Sequence, residues 1–224
     1  MQLQAASSRR GGSRASEATR EGARYLHAMA VKPPSKDELD RCRRCRLGEI
    51  ATQGVPGEGP RASRMMLVGE QPGDEEDQKG RPFVGPAGRL LRSALEHAGV
   101  DEDDLYVTNA VKHFSFELRG KRRIHKTPAQ REVAACHVWL EQEMLAVNPS
   151  IIVALGATAL GAIMGKRITI TEARATASLR NAEGVRVIAT YHPSAVLRAP
   201  DEERRQELFD FLVADLRRAN KIAD

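Results

Sequence analysis

Residues 64–70 read RMMLVGE, a short apolar run that ends in a glycine and a carboxylate. Three later runs have the same character: LYVTNA at 105–110, SIIVALG at 150–156 and VRVIATYH at 185–192. Apolar runs of this length are typical of strands that are buried on both faces of a parallel sheet. We therefore predict that these four runs form one buried sheet.

Helical patterns lie between and after the predicted strands. GPAGRLLRSALEHAG, at 85–99, repeats its apolar residues at helical spacing, and DEERRQELFDFLVADLRRA, at 201–219, begins with acids and ends with bases, as the helix dipole favours. PAQREVAACHVWLEQEMLAVN, at 128–148, opens with a proline and carries one apolar stripe, formed by Val133, Cys136, Leu140, Met144 and Val147. Strands that alternate with helices predict an α/β fold in which helices cover both faces of a parallel sheet.

The chain has 224 residues, enough for one sizeable domain with a buried core. No stretch approaches the roughly eighteen consecutive apolar residues that a membrane span requires. We interpret residues 1–37 as a disordered arm and 38–224 as the domain, because the N-terminus is rich in Arg, Ser, Gly and Ala and lacks the apolar centre of a secretory signal. The arm is either a solubilising tail or a weak extra contact for nucleic acid; its composition also resembles a transit peptide, apart from Glu17 and Glu21. We expect a cytoplasmic monomer.

The segment RGKRRIHKTP, at 119–128, places His125 directly behind a basic run. Between residues 112 and 126 there are six Lys and Arg residues against one acid, Glu117, although the whole chain carries a net charge of only +5. A local patch of this kind predicts a polyanionic partner such as nucleic acid, whereas an ordinary solvated loop is the alternative. We expect the basic run to lie in a loop.

Cysteine occurs at three positions, Cys42, Cys45 and Cys136. An odd number with no sign of export argues against a disulfide framework. The CRRC pair is typical of a redox site or of half a metal site, and His113, which follows a predicted strand, is the best-placed fourth ligand. Three cysteines and one histidine suit zinc or an iron–sulfur cluster, and the residues alone do not choose between them.

Two further segments follow predicted strands, where parallel sheets bind their ligands. GEQPGDEED, at 69–77, puts Glu70 and Asp74 at a strand end, although most of its carboxylates suit a simply solvated loop. Phe83 lies in the Gly-rich stretch that comes next, where an aromatic ring either stacks on a base or packs in the core. This segment is therefore a candidate base-binding site.

YHPSAVLR, at 191–198, contains the last candidate residues. His192 at a strand end is able to donate to a developing oxyanion, although a single histidine there is more often structural. Ser194 is predicted as the N-cap of the helix that follows. Arg198 and the neighbouring backbone amides suit a phosphate.

Together these segments resemble the uracil-DNA glycosylases of the iron–sulfur family 4 type, and most closely the UdgX branch. The resemblance is carried by GEQPGDEED, PFVGPAGRLL, TNAVKHF, KRRIHKTP and HPSAVLR, with CRRC ahead of them, and it extends from about Cys42 to the final helix. It implies a three-layer α/β/α sandwich around a short, mainly parallel four-stranded sheet. The implied partner is uracil-containing DNA, with the uracil flipped into a pocket and single-stranded DNA favoured because less pairing has to be broken.

The resemblance also implies roles in base recognition. Gln71 and Asp74 would lie beside the uracil, and Phe83 would stack on it. Asn109 would hydrogen-bond the Watson–Crick edge, because one amide matches the alternating acceptors and donor of uracil and penalises cytosine. His192 would donate to uracil O2 as negative charge builds on the leaving base.

For KRRIH the resemblance implies covalent chemistry. In UdgX-type proteins the histidine of this motif, here His125, takes the place of water at the sugar carbon C1′ and stays bonded to it. Glu70 would stabilise the sugar cation and orient or deprotonate this histidine. The groups implied in contact with the DNA are Lys121, Arg122, Arg123, Ser194 and Arg198.

The implied cofactor is a structural 4Fe–4S cluster. Ordinary family 4 enzymes have cysteine at the position of His113, so the predicted ligand set is Cys42, Cys45, His113 and Cys136. The alternative is a three-cysteine site with the histidine unbound. Segment 169–184 lacks the His-Arg-Gly pattern of the family, so its contribution to the pocket floor or to the path of the DNA stays open.

Three rival functions remain at this level. A conventional glycosylase would use water and turn over, with His125 only touching DNA. A non-enzymatic single-strand binder would show salt-sensitive binding that does not require uracil. A redox protein that uses CRRC is the third.

Overall fold

The structure, a computed structural model, describes residues 31–176 and 178–223. Most of the predicted arm, residues 1–30, lies outside this range. The remainder, 31–37, lies against the domain, since Gln142 Nε2 donates to the Lys32 carbonyl at 2.9 Å. Within the described residues, no helix is long and apolar enough to cross a membrane.

A parallel sheet forms the centre of the molecule, and its strand order is β2-β1-β5-β7-β6. The first four strands in this order are mutually parallel, whereas β6 pairs antiparallel with β7 at the edge. The strands of the sheet are β1 (Met65–Gly69), β2 (Leu105–Asn109), β5 (Ile151–Leu155), β6 (Leu179–Arg180) and β7 (Arg186–Thr190). The four predicted strands are thus confirmed, and a two-residue edge strand from segment 169–184 joins them.

Helices cover both faces of this sheet. The three predicted helices correspond to α4 (Pro86–Ala98), α5 (Gln130–Val147) and α9 (Glu202–Ala223). The described residues also form shorter helices: α1 (Lys36–Asp40) and α2 (Leu47–Ile50) before β1, α3 (Asp74–Lys79), α6 (Ala157–Met164) and α7 (Ile170–Ala175) between strands, and α8 (Pro193–Leu197) after β7.

Alternation along β1 divides the core into two layers. Met66 and Val68 belong to the cluster that includes Leu140 of α5, whereas Met65 and Leu67 belong to the cluster that contains apolar residues of α4 and α9. Successive side chains of a strand point to opposite faces, so a strand that is apolar throughout has to be covered on both. The predicted three-layer α/β/α sandwich is therefore confirmed.

The basic run does not lie in a loop, and that prediction was wrong. Residues 116–125 form a separate antiparallel hairpin of β3 (Phe116–Arg119) and β4 (Arg122–His125). Gly120 has a φ of 61°, which suits a two-residue hairpin turn with glycine first. His125 consequently sits at the end of a paired strand, opposite Phe116.

Candidate functional site

Three predicted site residues follow strands of the sheet at the same edge. Glu70 comes directly after β1, Asn109 ends β2, and His192 lies two residues beyond β7. The hairpin brings His125 to this edge, with its Nε2 atom 3.4 Å from Glu70 Oε1. The carboxyl ends of parallel strands are where such sheets bind ligands, and the predicted residues converge there.

Glu70 is held through both of its carboxylate oxygens. His125 lies against Oε1, and the Thr158 hydroxyl donates to Oε2 at 2.5 Å. Burial alone raises the pKa of Glu70, but the hydrogen bonds from His125 and Thr158 outweigh burial and lower the pKa from its usual value. The carboxylate is therefore ionised at neutral pH and faces the imidazole.

His192 is fixed in one neutral form. Its Nδ1 atom accepts the backbone N–H of Ser194 at 3.1 Å and lies 2.7 Å from the Ser194 hydroxyl. Because a backbone N–H only donates, Nδ1 carries no proton and the ring proton is on Nε2. Burial is the main cause that lowers the pKa of His192 to about 4. The charge of Glu70 opposes this shift, and the charge of Arg198 adds to it. The ring is a neutral donor through Nε2.

The same contact corrects the prediction for Ser194. The N-cap of α8 is His192. Its ring nitrogen accepts an N–H from the first turn of the helix, the role that we predicted for a serine hydroxyl. Ser194 is the second residue of the helix, and Pro193 is the first. Ser194 thus acts on the ring of His192.

Phe83 and Asn109 meet across Gly69. A Cβ atom built on Gly69 would lie 2.4 Å from Asn109 Oδ1 and 2.6 Å from Phe83 Cζ, so the glycine leaves the space that both side chains occupy. The Phe83 ring centroid is 6.3 Å from that of His192. Phe83 has a φ of 51°, an uncommon conformation for an aromatic residue, and residues held in this way cluster at functional sites.

The side chain of Gln71 is committed to the protein itself. Its Oε1 atom accepts from Ser115 N at 2.9 Å, and its Nε2 atom lies 3.1 Å from both the Ser115 and the Lys126 carbonyl oxygens. These two residues are the ends of the hairpin segment. The predicted contact between this amide and uracil therefore competes with three existing hydrogen bonds.

Arg123 points into the protein. Its guanidinium is 2.5 Å from Asp77 Oδ2 and 2.6 Å from Asp74 Oδ1, and it donates to the Thr52 hydroxyl at 2.9 Å. Its side chain is only 20% exposed. Asp74 and Arg123 thus form an ion pair with each other. The prediction from the sequence was that Asp74 contacts the base and that Arg123 contacts a phosphate.

The remaining predicted DNA contacts lie on the surface. Lys121 and Arg122 are exposed at the tip of the hairpin. Arg198 is exposed at the end of α8 and close enough to His192 to lower the pKa of that ring. Lys121 and Arg122 thus face solvent, and Arg198 lies near His192.

The three cysteines lie near one another. Trp139 Nε1 donates to Cys42 Sγ at 3.4 Å, and the Lys112 backbone N–H donates to Cys136 Sγ at 3.2 Å. Burial raises the pKa of Cys136 to about 12, with Lys112 acting in the opposite direction and the thiols of Cys45 and Cys42 making smaller contributions that raise it. N–H groups that donate to sulfur are typical of cysteines that bind a cluster, so the surroundings of Cys42 and Cys136 fit such a cofactor.

His113 is buried next to this cysteine group. Its Nε2 atom lies 3.0 Å from the Leu39 carbonyl oxygen. A ring that donates through Nε2 keeps the lone pair of Nδ1, the arrangement that metal-binding histidines commonly have. Over residues 31–176 and 178–223, however, no three His, Cys, Asp or Glu side chains are already arranged to hold a metal ion.

A groove of about 970 Å³ lies beside the converged residues. It runs between the start of α5 and the segment from α6 to α7, and Lys166 and Arg167 lie along it. Thr158 belongs both to this groove and to the hydrogen bond with Glu70. The groove therefore meets the site at Thr158.

Sequence reasoning missed four residues that shape the site. Thr158 and Gly69 contact the predicted residues directly, and the only hints at them are that GATAL follows β5 and that Gly69 ends β1. Lys112 and Glu143, both fully buried, form an ion pair of 2.6 Å, and Lys112 Nζ also donates to the Asn109 carbonyl at 2.7 Å. A fully buried lysine has no sequence signal, because its burial depends on a carboxylate 31 residues away.

Comparison with known proteins gives a consistent family. A family profile described as the Uracil DNA glycosylase superfamily matches residues 56–217. The chain is 39% identical over 184 residues to a Type-4 uracil-DNA glycosylase of Thermotoga maritima, a match that covers 82% of this chain and 90% of the relative. It is also 39% identical over 168 residues to a Type-4 uracil-DNA glycosylase of Pyrobaculum aerophilum, with coverage of 72% and 82%.

Proposed function

The chain belongs to the uracil-DNA glycosylase superfamily, and from that premise we propose that it excises uracil from DNA and then stays bonded to the sugar through His125. The observation that carries the proposal is the pairing of His125 Nε2 with the ionised Glu70, 3.4 Å apart, at the sheet edge that also holds Asn109 and His192. A nucleophile beside a carboxylate at the base-binding edge suits attack on a sugar cation.

Asn109 and Phe83 form the base pocket. Asn109 hydrogen-bonds the Watson–Crick edge of uracil, while Phe83 provides a flat apolar face. Asp74 borders the pocket from the start of α3. The strained backbone of Phe83 supports this assignment, because such strain persists where the surrounding structure needs the side chain in one place.

Excision breaks the bond between C1′ and uracil N1. The bonding electron pair leaves with uracil, and the sugar becomes a cation. His192, neutral with its proton on Nε2, donates to uracil O2 as negative charge develops there. The ionised carboxylate of Glu70 stabilises the positive charge on the sugar.

Capture forms one new bond. Glu70 accepts the Nε2 proton of the neutral imidazole, the Nε2 lone pair that this leaves attacks C1′, and Glu70 passes the proton through solvent to the uracil anion, which leaves as neutral uracil. Atoms and charges balance, with one C–N bond broken and one formed. An imidazole suits this step because its ring nitrogen is a good nucleophile once its proton has been taken by an adjacent base.

Lys121, Arg122 and Arg198 hold the phosphates on either side of the flipped nucleotide. Ser194 is not part of this set, because its N–H and hydroxyl already contact the ring of His192. Arg123 is not part of this set, because its guanidinium is already paired with Asp74 and Asp77. Single-stranded DNA reacts most readily, since flipping costs a few kcal/mol in a duplex.

Cys42, Cys45, Cys136 and His113 would hold a 4Fe–4S cluster. Through it these residues would tie the segment between α1 and α2 to α5 and to the segment that follows β2. Its support is the donor set around two of the sulfur atoms and the name of the Type-4 relatives.

The test is to mix the protein with uracil-containing single-stranded DNA and run the products on a denaturing gel after heating in SDS. A band of protein plus DNA, with an equal amount of free uracil, is the expected result. His125→Ala removes the band, while His97→Ala, which changes an exposed histidine of α4, keeps it. A band that survives His125→Ala would refute capture by this residue.

A conventional turnover glycosylase is the second candidate, supported by the Type-4 relatives. In that case water attacks C1′, and His125 only touches DNA. Free abasic DNA in molar excess over the protein would favour it. A stoichiometric adduct with little free abasic DNA favours capture.

A further inference from the structure

We infer that Arg174 is a positioning residue, which holds Tyr191 and through it sets the place of His192 at the base pocket. The inference rests on the proposed excision of uracil, and it holds whether His125 or water then takes the sugar. Arg174 belongs to segment 169–184, whose contribution to the site is open from the sequence alone. This residue does not have to touch the DNA for the role.

Arg174 is anchored on the last helix of the chain. It lies on α7, and its Nε atom donates to Asp215 Oδ2 of α9 at 2.8 Å. The Arg174 side chain is 21% exposed and that of Asp215 only 7%, so the ion pair is largely shielded from water. Charge-assisted bonds are stronger than neutral ones, and the planar guanidinium makes them in a fixed geometry. The plane of this guanidinium is therefore set by α9.

The anchored guanidinium covers two stacked rings. Arg174 Cζ lies 4.1 Å from the ring centroid of Phe211, on α9, and 5.4 Å from that of Tyr191. The two rings stack on each other, with their centroids 5.9 Å apart and their planes at 29°. A cation over the face of an aromatic ring is attracted by the charge distribution of the ring, and shielding from water strengthens this attraction. Arg174 thus holds the Tyr191 side chain against α9.

Tyr191 passes this constraint to His192. It is the single residue between Thr190, where β7 ends, and His192, which caps α8. His192 also packs closely on the chain after β5, since a Cβ atom built on Gly156 would lie 3.1 Å from His192 Cβ. The Ser194 N–H orients only the ring. The backbone from which the ring projects follows Tyr191, whose side chain is anchored away from the site.

The place of His192 matters because its Nε2 atom has to meet uracil O2 as negative charge develops there. A displacement of about 1 Å can cost a hundredfold in rate. Displacement also admits water to a ring whose burial lowers its pKa to about 4. When Arg174 no longer holds Tyr191, we therefore expect slower release of uracil together with a higher pKa of His192.

A rise in this pKa would report movement of the ring. The charged groups that act on the pKa of His192 are Glu70, Arg198 and His125. The guanidinium of Arg174 points instead to its acid on α9. Removing Arg174 thus leaves the charges around the ring in place, and the pKa changes only if the ring becomes more exposed to water.

The test is the pH profile of uracil release from single-stranded uracil DNA, measured in single turnovers with the protein in excess. At about pH 7.5, Arg174→Met and Tyr191→Ala release uracil about ten- to a hundredfold more slowly than the wild type. The decline on the acid side, which in the wild type begins below about pH 5, moves toward the ordinary histidine pKa near 6.5. It moves upward because a ring that binds its proton at higher pH loses the contact with the Ser194 N–H at higher pH.

Two matched variants refine the test. Arg174→Lys keeps a charge for Asp215 but has no planar group to cover two rings, so its rate and its acid decline lie between those of the wild type and Arg174→Met. Arg180→Met removes the same charge from the same segment, at an exposed position of β6 where the side chain contacts only the Gly184 carbonyl among the described residues. It keeps the rate and the pH profile of the wild type. An equal shift of the acid decline in Arg180→Met would overturn the inference.

The result separates this inference from the proposed function. If the wild type releases no uracil, the proposed excision itself fails. If the wild type releases uracil and Arg174→Met has the same rate and pH profile, Arg174 does not position His192. A slower rate with an unchanged pH profile shows only a general loss of structure and also contradicts the inference. Melting temperatures are measured alongside, and Arg174→Lys and Tyr191→Ala carry the decision if Arg174→Met does not fold.

Discussion

The Thr158 hydroxyl donates to one oxygen of Glu70 at 2.5 Å, while His125 lies against the other oxygen at 3.4 Å. Glu70 is thus oriented from both sides by residues 88 positions and 55 positions away along the chain. Because the hydrogen bonds favour the charged form, the carboxylate keeps its negative charge in a partly buried place. This charge is what a developing sugar cation needs.

Replacing Glu70 by Gln keeps its size and removes this charge. Uracil release should fall by about 10²–10³-fold, the usual cost of losing one preorganised electrostatic group. Single-turnover release of uracil measures the effect. Thr158→Val, which removes only the orienting hydroxyl, should cost less, and equal losses in the two variants would contradict the role given to the charge.

The pH dependence of uracil release reports on His192. Its lowered pKa, about 4, means that the ring binds a proton only well below the ordinary value near 6.5. Protonation would put a hydrogen on Nδ1, against the N–H of Ser194, and break the contact that orients the ring. Release should therefore stay constant from about pH 7 to about pH 5 and decline below that.

A decline centred near the ordinary histidine pKa would show that His192 is not held neutral. Single-turnover rates after a brief transfer to each pH separate this effect from acid unfolding. Glu70, whose pKa is also lowered, stays ionised over the same range and adds no earlier decline.

Gly69→Ala tests the base pocket without touching a polar group. The added methyl would meet Asn109 Oδ1 and Phe83 Cζ at distances that real Cβ atoms do not show. Both side chains then have to move, and uracil release should fall by at least about tenfold, with a weaker preference for uracil over cytosine. Gly99→Ala is the structural control. Gly99 lies at the far end of α4, and an added methyl group there would meet no other atom. Its φ of 71° would still strain the backbone of an alanine.

The cysteine site predicts a difference between two variants. Cys136→Ser should lose iron and acid-labile sulfide, since it removes a ligand whose sulfur the Lys112 N–H already faces. His113→Ala should keep part of the iron and change the EPR or Mössbauer spectrum of the cluster. An unchanged spectrum would leave a three-cysteine site, with His113 only bonded to Leu39.

The buried pair of Lys112 and Glu143 predicts a large loss of stability. Lys112→Met leaves a buried carboxylate without its cation, which costs about 3–5 kcal/mol. For a domain of this size the melting temperature should fall by about 6–20 °C, as measured by circular dichroism. The double variant Lys112→Met/Glu143→Leu should recover part of this loss, because no unpaired charge remains.

Much of the architecture could be predicted from local patterns. The apolar runs that became β1, β2, β5 and β7 are short, continuous and followed by turn residues, and burial on both faces requires that pattern. The hairpin escaped prediction because its strands alternate weakly and are dominated by charge. Its turn nevertheless carries a signal, the glycine between Arg119 and Lys121, at the position that needs a positive φ.

The types of residue in the candidate site were also available from the sequence, because Glu70, Asn109 and His192 lie at strand ends, which converge in a parallel sheet, and the family resemblance added His125 to them. Their tasks were not. The strand pattern of the sequence determined that Gln71 and His192 would lie near one edge of an α/β sheet, and the family resemblance added Arg123 and His125 to that site. The tertiary structure alone decided that the Gln71 amide faces the backbone 44 residues away and that Arg123 turns inward to Asp77, 46 residues away. It also fixed the proton of His192 on Nε2. Hydrogen-bond partners and burial are set by chain segments that meet only on folding, so no local pattern encodes them.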